Sequence, residues 1–235
     1  MVGMDVPLVL VAHGSRDEAA HACVCDIADA VRAGLPDVPV RVGYVDVRAP
    51  TVAEAVAGYD RAVVVPAFLA SGYHVRTDLP AQLAACAAPP SRFPVTSALG
   101  PDPLLIRAAC DRLVEAGWCA GDAVVLAAAG SSDPAALAEV QAAAQLLEDR
   151  VGGAVRVGFA ATATPKVDAL VAELRASGDR RIAVAPWLLA PGLFHTRLAE
   201  AGADAVAAPL GAHPDVVAAV VARYRAGACA LSTVA

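Results

Sequence analysis

The chain has 235 residues, a formal net charge of −6 and an apolar content of 57% dominated by alanine and valine. That length accommodates one large domain or two small ones with an adequate core. The acidic balance without a basic cluster argues against nucleic acid as a partner, and every apolar run stops short of the roughly 20 residues that span a bilayer.

Leu8–Ala12 is a short run of branched apolar residues closed by His13-Gly14-Ser15, the pattern of a strand buried on both faces of a parallel sheet. An amphipathic helix is predicted over Asp17–Ala33, then a strand at Val40–Asp46, a helix at Thr51–Tyr59 and a strand at Ala62–Phe68. A helix at Arg76–Ala88, a strand at Val95–Leu99 and a helix at Pro103–Ala116 complete the first half. Strands alternating with helices imply βαβ units, a parallel sheet and right-handed crossovers.

The pattern then repeats. VVLAAAGSSDPAA at Val124–Ala136 echoes LVLVAHGSRDEAA at Leu8–Ala20, and VRVGF at Val155–Phe159 echoes VRVGY at Val40–Tyr44. VAPWLLAPG at Val184–Gly192 echoes VVPAFLASG at Val64–Gly72, and LGAHPDVVAAVVARYRAG at Leu210–Gly227 echoes LGPDPLLIRAACDRLVEAG at Leu99–Gly117. Four matches in one order describe a tandem duplication of a small α/β domain, with lobes expected at 1–117 and 118–235 and a junction near Gly117–Asp122. A unit this long is a duplicated domain rather than a solenoid repeat.

The copies differ at the strand ends. His13 is matched by Ala129, Asp46 by Ala161 and His74 by Phe194, which points to one active site built mainly by the first half. Ligands of open α/β sheets bind outside the carboxyl ends of the strands, so His13, Asp46 and His74 share one rim. Imidazole suits Fe, Co, Ni and Zn, and a carboxylate completes such a site or takes protons. Gly14 and Gly72 allow close backbone approach beside the histidines, and free helix N-terminal amides favour carboxylates or phosphates.

Other groups read less sharply. In the HxCxC run His21 and Cys25 share a helix face while Cys23 points away, so at most two ligands converge. His195 reads equally as cleft-facing or merely exposed, and His213 as a helix cap. Arg76 reads as a cap or an anion ligand, and Asp78, before Leu-Pro, as structural. Six cysteines without a CxxC pair read as reduced thiols of a cytoplasmic protein, and no basic, apolar leader opens the sequence. GxGxxG, GxxxxGK[ST] and GxSxG motifs are missing, which removes support for dinucleotide, P-loop and serine-hydrolase chemistry.

HGSRD at His13–Asp17, GYVDVRAPT at Gly43–Thr51 and FLASGYHVRTDLP at Phe68–Pro80 together resemble the CbiX/SirB family of class II tetrapyrrole chelatases in its two-domain form. The resemblance implies two flavodoxin-like lobes, each a parallel sheet flanked by helices, related by pseudo-twofold symmetry, with the tetrapyrrole between them. It implies insertion of Fe2+ into sirohydrochlorin for siroheme, with cobalt insertion for cobalamin or a non-catalytic tetrapyrrole or metal carrier as alternatives. Nickel also fits the ligand chemistry, and the ion is substrate rather than a prosthetic group. His13 and His74 match the family's metal-binding and catalytic histidines, and Asp46 stands where many members have glutamate. The substrate's carboxylates would need donors, for which Gly14, Ser15, Gly72, Arg76, Ser131 and Ser132 are candidates; His195 is a further candidate that matches no position of the family. One imidazole or Asp46 would accept the pyrrole protons. A chain carrying both lobes is expected to act as a monomer.

Overall fold

The computed structural model describes residues 6–86 and 89–233. In chain order the elements are β1 (Leu8–Ala12), α1 (Glu18–Gly34), β2 (Val40–Tyr44), α2 (Val52–Val56), β3 (Val63–Pro66), a π-helical turn (His74–Asp78) and α3 (Leu79–Ala84). After a 3-10 turn at Pro90–Arg92 come α4 (Pro103–Glu115), β4 (Ala123–Ala128), α5 (Pro134–Val151) and β5 (Val155–Phe159). The chain continues through α6 (Val167–Ala176), β6 (Ile182–Trp187), α7 (Leu193–Ala199), β7 (Ala205–Val206) and α8 (Pro214–Thr233).

Two compact units result: Met1–Leu99 with Ala212–Ala235, and Gly100–Gly211. The first holds a parallel sheet in the order β2-β1-β3, the second a parallel sheet in the order β5-β4-β6-β7. Both are α/β, as the alternating pattern predicts. Their boundaries do not follow the sequence repeat, because each repeat hands its last helix to the other unit. α4 packs on α5 and β6, while α8 packs on α1 and β3.

Equivalent bonds fix the exchange. In the first unit Arg223 donates from Nε to the Ala98 carbonyl and from Nη2 to the Leu99 carbonyl, both at 3.1 Å. In the second unit Arg112 Nη2 donates to the Leu210 carbonyl at 3.2 Å. α8 also lies close against β3: a Cβ on Gly227 would stand 2.6 Å from Val63 Cγ1 and 3.1 Å from Thr96 Cγ2. The buried Tyr224 hydroxyl donates to the Val6 carbonyl at 2.8 Å.

Leu8, Val9, Leu10 and Val11 are completely buried, which explains why β1 is apolar without alternation. Val9 and Val11 join Val52, Val56, Val64, Leu79 and Leu83 in one cluster, and Val125, Leu170, Val184 and Leu198 anchor its counterpart in the second unit. α1 turns Ala20, Val24, Ile27, Ala28 and Val31 inward, and Asp17 caps it by accepting from the Ala19 amide. α2 opens with a capping box between Thr51 and Glu54, whose hydrogen bonds from Thr51 hold the Glu54 carboxyl below its usual range.

Three expectations change. The strand at Val95–Leu99 reduces to one bridge, Val95 to Val64, and its counterpart β7 has only two residues. α2 stops at Val56, ahead of Gly58 at φ +78°, rather than at Tyr59. The helix expected at Arg76–Ala88 begins earlier, with the π-turn at His74, and α3 ends at Ala84; residues 87 and 88 lie outside the described residues. Among the described residues no helix is long and apolar enough to cross a membrane.

Packing at Gly227 gives a direct test. Gly227→Val should lower unfolding free energy by about 2 kcal/mol, because the β3 valine cannot yield cheaply. Gly34→Ala, with nothing within 4 Å of the new Cβ, should leave stability equal or raise it by up to about 1 kcal/mol. Urea denaturation of both variants reads the difference; equal midpoints would contradict the packing of α8 on β3.

Candidate functional site

The site begins where β1 ends. The Val45 amide donates to the Ala12 carbonyl and the Asp46 amide to the His13 carbonyl, each at 3.0 Å, so the pairing of β1 with β2 continues to His13 and Asp46. Gly14 follows at φ +98°, and a Cβ there would lie 2.0 Å from the Asp46 carbonyl oxygen. Only glycine fits that turn. Ser15 Oγ then accepts from the Asp17 amide at 3.0 Å, and Asp17 caps α1.

Arg48 locks the neighbouring loop. Its Nη1 donates to the Ser15 carbonyl at 3.0 Å, and its Nη2 meets both Glu18 oxygens at 2.6 and 2.8 Å. This hydrogen bond and the guanidinium charge hold the Glu18 carboxyl below its usual range. The exposed Asp46 carboxylate accepts from the Val47 amide at 2.7 Å and, among the described residues, bonds neither imidazole. Val47 adopts φ 66°, the left-handed region that a β-branched residue rarely enters.

His74 arrives from the loop after β3. The segment from Gly72 to Leu79 is one residue longer than its repeat equivalent, Gly192 to Leu198, and both leucines are fully buried. The added residue is taken up as the π-turn, in which the Leu79 amide reaches back to the His74 carbonyl. Such turns insert a residue without moving the flanking core positions, and they gather at functional sites. In this turn His74 Nδ1 lies 2.6 Å from Asp78 Oδ2. Phe68 stacks on the His74 ring at 6.4 Å and 28°, and Tyr73 meets it edge-on at 5.9 Å.

The two imidazoles then meet. His13 Nε2 and His74 Nε2 are 3.1 Å apart, with ring planes at 86°. His13 Nδ1 is 2.9 Å from the Gly14 carbonyl, an acceptor only, as is the Asp78 carboxylate facing His74 Nδ1. Each Nδ1 therefore carries a ring proton, and with both rings neutral the two Nε2 lone pairs converge. That arrangement can share one cation, a proton or a metal ion. With metal–nitrogen bonds of about 2.0–2.1 Å, ligands 3.1 Å apart subtend about 95–100° at the ion. The angle suits two adjacent positions of an octahedral or distorted tetrahedral ion, leaving the others open.

The remaining candidates separate. Gly72 accepts from the Val75 and Arg76 amides, starting the π-turn, and Arg76 Nε donates to the Ser71 carbonyl at 2.6 Å. In the second unit Ser131 Oγ accepts from the Asp133 amide at 3.0 Å, repeating the Ser15 turn, and Ser132 is exposed. His195 Nε2 donates to the Ala207 carbonyl at 3.1 Å, a bond internal to that unit. His213 Nδ1 accepts from the Asp215 amide at 3.2 Å, the capping role its turn predicts. Of the candidates, the structure brings together His13 and His74, with Gly14, Ser15 and Asp46 on the turns that support them.

Asp78 is the residue the sequence reading misses as a site component. The signal available was its spacing four residues after His74, which places the two side chains on one helical face.

Comparison with known proteins gives the family. The family model described as CbiX matches residues 7–116 and 123–226. The chain belongs to the CbiX family. Relatives named sirohydrochlorin cobaltochelatase include one from Methanopyrus kandleri, 42% identical over 83 residues, which are 33% of this chain and 58% of that protein. Another, from Methanococcoides burtonii, is 34% identical over 80 residues, 32% of this chain and 61% of that protein. The chain thus spans about three-fifths of the length of these curated relatives. Among solved structures, SirB from Bacillus subtilis with Fe3+ superposes with a TM-score of 0.81 at 23% identity, covering 95% of this chain and 96% of that one. A CbiX structure described as the terminal enzyme of siroheme biosynthesis in denitrifying bacteria gives 0.69 at 23% identity, covering 94% and 98%. These two likenesses show the fold of the CbiX family member.

Removing the orienting carboxylate tests the site geometry. Asp78→Ala should weaken Co2+ binding by about 10–100-fold, since the His74 ring loses the partner that fixes its tautomer and direction. Calorimetric titration reads the affinity, and circular dichroism should show the fold unchanged because Asp78 lies outside the core cluster. Undiminished affinity would contradict the orienting role.

Proposed function

We propose that this chain is a sirohydrochlorin chelatase that inserts a divalent metal into the macrocycle, with Fe2+ and siroheme as the first reading. The observation that carries the proposal is the convergent Nε2 pair of His13 and His74, two neutral ligands with open positions around them, in a CbiX family chain. A closed four-ligand site would keep its ion, whereas two imidazoles hold it weakly enough to pass it on. Cobalt is the second reading, favoured by the names of the archaeal relatives and by the SirB structure in complex with cobalt.

Proton balance assigns the remaining roles. Sirohydrochlorin loses two pyrrole N–H protons as M2+ enters, giving the metallated macrocycle and two H+. When the ion leaves, the vacated Nε2 pair takes one proton as a shared N–H···N bond. A second proton there would place two imidazolium charges about 3 Å apart. Asp46, on the adjacent strand end and among the described residues bonded within its own loop, is the acceptor for the second.

The substrate's carboxylates need donors. Ser15 and Ser131 each accept one amide and keep the hydroxyl proton to give, and Arg76 and Ser132 add donors of their own. His195 and Gly72 complete the proposed contacts. The protein is proposed to act as a monomer in the cytoplasm.

Anaerobic mixing of protein, sirohydrochlorin and Fe2+ or Co2+, followed by absorption, separates a catalyst from a carrier. The expected outcome is insertion well above the metal-plus-substrate blank, with His13→Ala and His74→Ala each slowing it by about 10²–10⁴-fold. Insertion no faster than the blank with either ion would sink the proposal, and wild-type rates in both variants would sink the site.

A further inference from the structure

The HxCxC run at the start of α1 is not used by the His13–His74 pair. His21 and Cys25 stand at i and i+4, so both project from one face of the helix, the spacing by which a helical histidine pair grips zinc in HExxH motifs. Cys25 Sγ lies 3.7 Å from His21 Nε2 and 3.9 Å from Nδ1. Bonds of about 2.3 Å to sulfur and 2.0–2.1 Å to nitrogen at a tetrahedral angle span about 3.5 Å. The near-equal distances set Sγ to the side of the Nε2 lone pair, so one ion joins the two atoms once the Cys25 side chain turns toward that lone pair.

The far side of the ring is already arranged. His21 Nδ1 is 2.6 Å from Tyr44 Oη, and Tyr44 is almost wholly buried. Burial pushes the Tyr44 phenol up to about 12, so it serves as a neutral hydrogen-bond partner rather than as a phenolate ligand. With Nδ1 donating its proton to the phenol oxygen, the ring is fixed and Nε2 is left for a metal. Glu18, one turn earlier, is clasped by Arg48 and withdrawn from the ligand set, and Cys23 projects from another face. Tyr44 pairs with Ala12, the residue before His13, so this helix face flanks the strand end that carries the insertion pair.

We propose that His21 Nε2 and Cys25 Sγ form a second metal site on the first unit, taking a borderline or soft divalent ion such as Co2+ with water in its other positions. On binding, the Cys25 thiol gives its proton to solvent and the metal–sulfur bond forms without change of oxidation state. Two protein ligands make the ion exchangeable. The site's use as a holding point for the metal awaiting insertion rests on the chelatase reading, but its existence does not.

Co2+ titration of the reduced, full-length His13→Ala/His74→Ala protein under anaerobic conditions tests binding without reference to chelatase activity. The expected result is a near-ultraviolet thiolate-to-cobalt charge-transfer band saturating at one ion per chain. Adding Cys25→Ser should abolish the band, adding Cys23→Ser should keep it, and adding Tyr44→Phe should weaken binding by about tenfold. No band, or a band that survives Cys25→Ser, would overturn the proposal. A second measurement uses the unmutated protein: Co2+ should slow alkylation of Cys25 at least about tenfold while leaving Cys23 unaffected, as mass spectrometry of the labelled peptides reads. Equal protection of both thiols, or none, would count against the site in the same way.

Discussion

Everything at this site depends on where the two Nδ1 atoms point. His13 commits Nδ1 to the Gly14 carbonyl and His74 commits Nδ1 to the Asp78 carboxylate, so both unprotonated Nε2 atoms are pushed toward one spot 3.1 Å wide. A pair of lone pairs that close is unfavourable without a cation between them. Backbone and side chain together thus arrange two acceptor nitrogens that can share one positive charge.

The fold supplies the parts of this arrangement from separate elements. β1 is buried on both faces and holds His13 rigidly, and the Gly14 turn closes against the Asp46 carbonyl so tightly that no side chain fits. The π-turn adds a residue between Gly72 and Leu79 while Leu79 stays in the core, and within it His74 and Asp78 face one another. The second unit shows what the scaffold is without these additions. It has the same glycine at φ +101°, the same serine and aspartate turn, and an α7 with no π-turn, but Ala129 and Phe194 where the imidazoles would be.

Much of this is legible in the sequence. The α/β class follows from β-branched runs alternating with amphipathic helices, and the duplication from four ordered matches. His13 and His74 stand out because their copies are alanine and phenylalanine. What is not legible is physical in origin. The exchange of α4 and α8 depends on which sheet a helix buries its apolar face against, and both sheets offer the same carbonyl to the same arginine, at Leu99 and at Leu210. The π-turn is invisible to a 3.6-residue period, because one added residue looks like a small insertion. Asp78, ahead of Leu-Pro, passes for a structural residue, although its spacing four residues after His74 puts both side chains on one helical face. Asp46 stands at the strand end as the sequence predicts, yet its carboxylate accepts from its own loop, at the Val47 amide.

The most direct test of this account is X-ray absorption at the cobalt edge on Co2+-loaded protein carrying Cys25→Ser, so that the thiolate site contributes nothing. The account predicts two imidazole nitrogens in the first shell, falling to one when His13→Ala is added. Fewer than two imidazoles in the parent, or a shell unchanged by the loss of His13, would contradict a metal held jointly by His13 and His74.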